Sequence, residues 1–376
     1  MRPLLLLLPV CLLAEWEQRS ALGLEALGVT SEGNEQSRIA LDLESNGEYH
    51  HRGWRAVGDV KARSGPYSYG YIREAYLQVE HPAYTLFGGK RILFRGVLEA
   101  YNPVNLLSFA IPKVGLEQED RDGAWMAGGD YYGGSWTLSG YVRLVESPTA
   151  LPPDDDPDFP FGEWIGIDEP LYEEGRWRKS TYLGIRGTAG AVDYHGALFE
   201  GYDNRRLWEV NDQGRMRERA WTVTKLMASA TWAGDDLLYK LESTWSHIHH
   251  PDQNGLEDYG ETGIGGEYTL YGVTGDGDLG ILAEYYHRFG ESPETLQIPQ
   301  GMDNDLFLAG RYLFNDIGDS QLLAGVIQDI ETTDRTTLIE VSTRLADGWN
   351  IEVTWQQILR EETTYNRGRL LLARFF

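Results

Sequence analysis

The chain has 376 residues and carries 33 Lys and Arg against 58 Asp and Glu, a net charge of −25. This argues against nucleic acid as a partner and against a basic protein held on a membrane surface. Mean hydropathy is −0.41, and beyond the N-terminus no apolar run approaches the roughly 18–20 residues a spanning helix needs. A helical membrane protein is therefore excluded, whereas a barrel strand shows lipid only every second residue and keeps a low average hydropathy.

Met1-Arg2-Pro3 followed by Leu4 to Leu13 reads as a positive n-region and an apolar h-region. Residues 1–14 are accordingly expected to be a signal peptide, with Ala14 before the cut. Cys11 is the only cysteine and leaves with it. The remaining chain, 15–376, then has no disulfide and no thiol chemistry.

From about Ala21 onward the chain alternates with a period of two, which means strands with one apolar and one polar face. Apolar sets include Ile39/Leu41/Leu43, Trp54/Ala56/Gly58/Val60, Leu237/Tyr239/Leu241 and Ile351/Val353/Trp355. The opposite faces carry Arg55, Lys61, Arg143, Arg186, Lys240, Glu242, Glu284, Glu340 and Glu352. A soluble core would exclude these charges, but a water-filled lumen tolerates them. The fold class expected is all-β: one transmembrane antiparallel β-barrel over 15–376, of about 18 strands with 16 the next choice. A soluble antiparallel sandwich or barrel is the rival. Short gaps (Gly133-Gly134, Gly187 to Gly190, Ala233 to Asp236, Val273 to Asp278, Asn315 to Asp319, Asp347-Gly348) alternate with long ones. Short periplasmic turns and long extracellular loops are the outer-membrane arrangement.

The long loop 91–122 is too apolar, with Ile92, Leu93, Phe94, Leu106, Leu107 and Phe109, to lie free in water. It is expected to fold into the lumen as a constriction. Within and beside it Lys90, Arg91, Arg95 and Lys113 stand opposite Glu99, Glu117, Glu119, Asp120 and Asp122, with Asn102 and Asn105 at an Asn-Pro-Val-Asn turn. Opposed charges there would set a transverse field. A surface Ω-loop with its own small core is the other reading. The acidic loop 146–176 has Asp154, Asp155, Asp156 and Asp158 at its centre. It is expected to be solvated at the mouth, where it would concentrate cations.

Calcium-loop spacing is missing from that acidic loop. His247, His249 and His287 could meet at the rim around a transition metal, but His-rich tips are more often solvated. No metal or cofactor is expected. No nucleophile elbow, HExxH or GxGxxG placed after a strand stands out, so no enzyme is expected.

The last stretch holds two alternating runs hinged on Asp347-Gly348, a hairpin signal. A polar break from Arg360 to Arg367 and a strand ending Phe375-Phe376 follow. A strand that stops on an aromatic resembles the C-terminal signature of Gram-negative outer-membrane barrels. That resemblance implies that Phe376 is read by the barrel assembly machinery; Arg374 departs from the signature. Ile72-Arg73-Glu74-Ala75-Tyr76, Phe87-Gly88-Gly89-Lys90-Arg91 and Tyr101-Asn102-Pro103-Val104-Asn105 resemble short motifs of a group of large uncharacterised outer-membrane barrels. Leu151-Pro152-Pro153-Asp154 also suits that group, and alginate-export barrels have a similar early stretch. Where the group usually has Trp-Gly after Gly-Lys-Arg, Ile92-Leu93-Phe94 stands here.

Residues and resemblance together lead to an outer-membrane channel of a Gram-negative bacterium. It would pass small hydrophilic solutes with weak cation preference and touch outer-membrane lipid and lipopolysaccharide. The alternative is a barrel plugged by its loops that binds or helps export or assemble an envelope polysaccharide. An outer-membrane enzyme comes third.

Overall fold

A computed structural model describes residues 15–31, 34–65, 68–111, 121–154, 156–161, 166–251, 255–290, 296–298, 302–345, 348–360 and 363–376. The expected signal peptide and Cys11 lie outside the described residues. The strands begin with β1 (Glu15–Ser31), β2 (Asn34–His51), β3 (Trp54–Ser64), β4 (Tyr69–His81), β5 (Tyr84–Arg91) and the short β6 (Ser108–Ala110). Next come β7 (Arg121–Tyr132), β8 (Trp136–Arg143), β9 (Leu171–Tyr172), β10 (Ser180–Ala189), β11 (Val192–Tyr202), β12 (Arg206–Val210) and β13 (Met216–Ala220). After these follow β14 (Thr222–Ala233), β15 (Leu237–Ile248), β16 (Tyr259–Thr274), β17 (Gly277–Phe289) and β18 (Leu296–Ile298). The chain ends with β19 (Asn304–Leu313), β20 (Gln321–Asp329), β21 (Arg335–Arg344), β22 (Trp349–Arg360) and β23 (Thr363–Phe375).

Eighteen of these strands form one closed antiparallel wall. β1 pairs with both β2 and β23, so the last strand seals the first. Ser20 and Phe376 exchange two backbone hydrogen bonds at that seam, at 3.0 and 2.9 Å. Closure leaves no free edge, which is what a sheet in hydrocarbon requires. β6 rides on the start of β7, while β9, β12, β13 and β18 make a separate four-stranded sheet within the loops.

Hairpin turns at 52–53, 82–83, 133–135, 190–191, 234–236, 275–276, 314–320 and 345–348 share one end with both termini. The long connections 92–120, 144–179, 203–221, 249–258 and 290–303 share the other. Outer-membrane barrels keep the turn end periplasmic. Of the Asp347-Gly348 hairpin, Asp347 is outside the described residues. Gly348 has φ of 76°, and a Cβ there would meet the Phe375 carbonyl oxygen at 2.9 Å, so the turn requires glycine.

Side-chain phase follows the alternation. Leu241 points outward, 41% exposed, while its neighbour Glu242 is 0% exposed. Val353 and Trp355 also face out, and Gln356 is buried. Aromatic pairs rim the belt: Tyr131 with Trp136 (6.0 Å between rings) and Trp232 with Tyr239 (5.7 Å) near the turns, and Trp245 with Phe289 (6.2 Å) near the loops.

Among the described residues the pairing shifts register between Leu270 and Thr274 of β16, beside its turn, and within the wall in β4. Asp59 pairs with Glu74 and Val60 with Ile72, which leaves Arg73 as an extra residue, a β-bulge. Ile72 (50% exposed) and Leu77 (59%) therefore both face outward although five residues apart. The bulge sends two consecutive charges inward. Arg73 bonds Asp59 at 2.9 Å, and Glu74 accepts from the Ile92 amide at 2.8 Å, where the chain leaves β5 for the first long loop.

Two expectations are corrected. The polar break at 360–367 is mostly strand, since β23 begins at Thr363 and pairs with β22 as far as Arg360. Arg367 points to the interior and is fully buried there. Nor is the lumen face uniformly wet. Tyr76, Phe87, Met126, Tyr141, Tyr182 and Phe199 point inward and form one apolar core with Leu93, Val104, Leu106 and Leu107 of the first long loop.

Candidate functional site

The first long loop enters the barrel. Its apolar residues supply the reason, because burying Val104, Leu106 and Leu107 almost completely stabilises by roughly 1.5–3 kcal/mol per side chain. What fixes its path is a pair of wall carboxylates. Glu242 in β15 accepts from the amides of Val97, Leu98 and Val104, the last two at 3.3 Å. Glu284 in β17 accepts from the amides of Glu99 (2.9 Å) and Ala100 (3.1 Å). The Tyr101 amide donates to the Tyr286 hydroxyl at 3.1 Å, and the Tyr101 hydroxyl donates to Glu261 at 2.9 Å. β17 lies eight strand positions from β5, close to half of the 18-strand circuit. The segment 97–101 therefore crosses the interior to the far wall. Amides that no strand partner could satisfy there are paired by carboxylates, as buried backbone demands.

The expected constriction residues end in different places. Lys90 bonds Asp122 at 2.6 Å. Arg91 donates to Gln78 at 2.9 Å and stacks on Tyr76 and Phe87. Both thus belong to the wall near their own strand. Arg95 reaches back to the Tyr141 hydroxyl at 3.2 Å. Glu99 crosses to an ion pair with Arg311 in β19. Asn102 and Asn105 close a tight buried turn, and Asn204 donates to the Asn105 carbonyl at 2.8 Å. Lys113, Glu117, Glu119 and Asp120 lie outside the described residues.

The second long loop also turns inward, and here an expectation is overturned. Asp156 and Asp158 are 3% and 1% exposed, not solvated. Arg367 of β23 clasps Asp158 with two bonds, 2.7 and 3.1 Å. Arg38 of β2 bonds Asp156 and lies 3.4 Å from Asp158. Behind them Glu25 receives Arg63 (3.0 Å) and Arg369 (2.8 Å), and Arg63 also holds Asp42 (2.6 Å). Buried arginines on three strands provide the reason: four positive charges taken from water need matching carboxylates. Asp154 is exposed, and Asp155 is outside the described residues.

The wall charges point inward, and ion pairs join many of them. Arg55 bonds Glu48 (2.7 Å), Lys61 bonds Glu44 (3.1 Å) and Lys240 approaches Glu267 (3.9 Å). Arg143 meets Glu146 at 3.3 Å, and Arg206 joins Glu146 to Glu218. Arg186 is half-buried beside Tyr182 and His195. Glu352 takes Arg369 at 2.6 Å. The sequence reading missed Arg38, Arg63, Arg367 and Arg369. Their signal was present, since all sit on the inward phase of alternating strands.

His247, His249 and His287 do not assemble a ligand set. His247 faces Asp258 (2.9 Å) and His249 faces Thr224 (2.9 Å). Among the described residues the group with metal-ligand spacing is Glu173, Glu174 and His250. Arg178 already holds Glu174 at 2.6 Å, which makes the group an ion-paired clasp between loops.

Among the described residues, a cavity of about 690 Å³ lies along β19 to β22. Its loop-end part is bounded by Phe307, Ile327 and Leu338, and its turn-end part by Ser342, Asn350 and Glu352. Between them lie Glu99, Arg311 and Glu340.

No family model matches the chain, and no curated protein matches its sequence. Solved structures do resemble it. Pseudomonas aeruginosa OpdL superposes with a TM-score of 0.63 at 10% identity, covering 96% of this chain and 99% of that one. P. aeruginosa OccK2 (OpdF) and a BenF-like porin from Pseudomonas fluorescens Pf-5 each give 0.62 at 10% identity, over 96% of this chain and 98% of theirs. Likeness at this identity shows the fold, which is the closed 18-strand barrel of Gram-negative outer-membrane porins.

Proposed function

We propose that the protein is a passive outer-membrane channel for small hydrophilic solutes with a weak cation preference, and not an enzyme. The observation that carries this reading is the cavity of about 690 Å³ beside the inserted loop. It offers a largely polar space inside the wall, beside the segment that crosses the barrel. Glu99, Glu340 and Glu352 border it against Arg311 alone, which supports attraction of cations. The preference expected from the mouth moves to the wall, because Asp156 and Asp158 are neutralised. Glu99 and Asn102, at the crossing segment, belong to the constriction; Lys90 and Arg91 are anchors in its wall. OccK2 (OpdF) is known in complex with glucuronate. A solute of that size sets the scale here, and its negative charge does not carry over. Lipid would cover the outward belt, and Phe376 would be the assembly signal.

A second reading is favoured by one observation. Both long loops enter the interior, as a barrel plugged for binding, exporting or assembling an envelope polysaccharide would require. Purified protein in a planar bilayer separates the two. Stepwise conductance, with a reversal potential of cation sign in a salt gradient, is the expected result. Silence would overturn the channel in favour of the plugged barrel, and anion preference would overturn the charge assignment.

A further inference from the structure

We propose that the cavity along β19 to β22 is a subsite for amphipathic organic cations, small molecules that join an apolar body to an ammonium group. This deepens the channel reading and rests on it. The argument starts from how the strands order the lining. β19 and β21 run from the loop end to the turn end, β20 and β22 the reverse, and the register fixes which residues share a level. Phe307 pairs with Ile327, and Leu338 follows on the next strand, opposite Gly325. All three point inward and are nearly fully buried, and they join one apolar cluster with Leu98 and Ala100 of the crossing loop. This makes an apolar shelf on the loop side of the cavity.

One step toward the turns the chemistry changes. Arg311 pairs with Leu323, Leu323 with Glu340, and Glu340 with Thr354. Next comes Ser342 opposite Glu352. Carboxylates outnumber cations on this level. Arg311 is shared between Glu99 and Glu267, with Glu267 at 3.8 Å, and Arg369 is shared between Glu352 and Glu25. Four acids, Glu99, Glu267, Glu340 and Glu352, thus face three cations, Arg311, Arg369 and Lys240, which stands 3.9 Å from Glu267, and Glu25 also claims Arg369. A solute descending from the loops meets the apolar shelf first and the carboxylates next.

A neutral sugar gains nothing from the shelf, and an anion is opposed below it. An inorganic cation gains only from the carboxylates. A molecule with a ring or short alkyl body and an ammonium group gains from both, because apolar burial and charge attraction act at different ends of it. The separation of the two surfaces along the path also orients it, with its body toward the loops and its charge toward the periplasmic side. Here the shelf and the acid ring adjoin in one space.

The test uses the whole protein in a planar bilayer, with the probes phenethylammonium, ethylammonium and phenylacetate. Reversal potentials under bi-ionic conditions and current block at one-sided addition are read for each. Phenethylammonium is expected to block or permeate at concentrations several-fold lower than ethylammonium, and phenylacetate to do neither. Glu340→Gln and Glu352→Gln, made singly, should each reduce the phenethylammonium effect several-fold. Phe307→Ser should bring phenethylammonium down to the ethylammonium level. Equal effects of the two amines would overturn the inference and leave the channel standing, as would preference for phenylacetate. Absence of any conductance would overturn the channel reading itself, and the subsite with it. The comparison of the three probes on the unaltered protein decides the matter even if a variant fails to fold.

Discussion

The carboxylate of Glu284 lies 2.9 Å from the amide nitrogen of Glu99, although the strand that launches Glu99's loop is on the other side of the barrel. That contact and its companion at Glu242 hold five backbone amides of the crossing segment. A hydrogen bond to a charged group is worth about 1.5–3 kcal/mol. Glu284→Ala should therefore free the segment 99–101, giving larger and noisier single-channel currents. Deleting 102–109, which removes the turn and much of the apolar anchor, should raise conductance further. Currents identical to the parent's in both variants would mean that the crossing segment does not limit the path.

Arg367→Ala should destabilise the folded barrel by up to about 3–5 kcal/mol, because it removes both short bonds to the buried Asp158 and leaves it only Arg38 at 3.4 Å. Asp154→Asn, at the exposed edge of the same loop, should fall within about 0.5 kcal/mol of the parent. Urea unfolding in micelles reads both. The loss at Arg367 should persist in high salt, since buried pairs are screened little; a loss that vanished with salt would contradict the burial of this network.

Outward and inward faces should respond differently to charge. Leu241→Arg is expected to cost about 2–4 kcal/mol if the site lies near the midplane. Asn350→Arg, on the lumen face, should be tolerated. Glu242→Arg is not a harmless control, because Glu242 holds loop amides. Folding yield into lipid, followed by unfolding titration, measures each, and equal costs for Leu241→Arg and Asn350→Arg would reverse the assigned phase.

The clasp between loops should weaken in acid. At Glu174, burial alone would raise the carboxyl's pKa. The hydrogen bonds from Arg178 and His250 outweigh it and hold it below its ordinary value of 4.5. A carboxyl depressed in the folded state contributes stability above its unfolded pKa and loses it as pH falls through the folded one. Protease cleavage within 144–179 should thus accelerate between about pH 5 and about pH 3, in the range where free carboxyls titrate. Glu174→Gln should abolish that dependence. If the variant kept the parent's pH profile, Glu174 would not be the group responsible.

The period-two pattern, the hairpin glycines and the lengths of the gaps were enough to point to the barrel, to put its strand number at about 18 with 16 the next choice, and to separate outward from inward residues. Leu241 and Glu242 are adjacent, and a strand must send them to opposite faces whatever the rest of the chain does. The bulge at Arg73 shows the limit of that rule, since one extra residue shifts the phase and no local signal announces it. Likewise the charged run before β23 looked like a loop, because polar residues facing a wet or ion-paired interior resemble polar residues facing water.

Tertiary structure alone decided which charges meet. Arg38 and Asp156 are 118 positions apart, and Arg367 and Asp158 are 209 apart. An aspartate cluster reads as solvated until the fold supplies buried arginines to neutralise it. The same holds for the crossing loop, whose apolar residues said that it must be covered but not by which wall. Alternation is a local property of the backbone and can be read along the chain. The pairing of a loop with the far side of a barrel depends on closure, which brings distant strands face to face and leaves no trace in the spacing of residues.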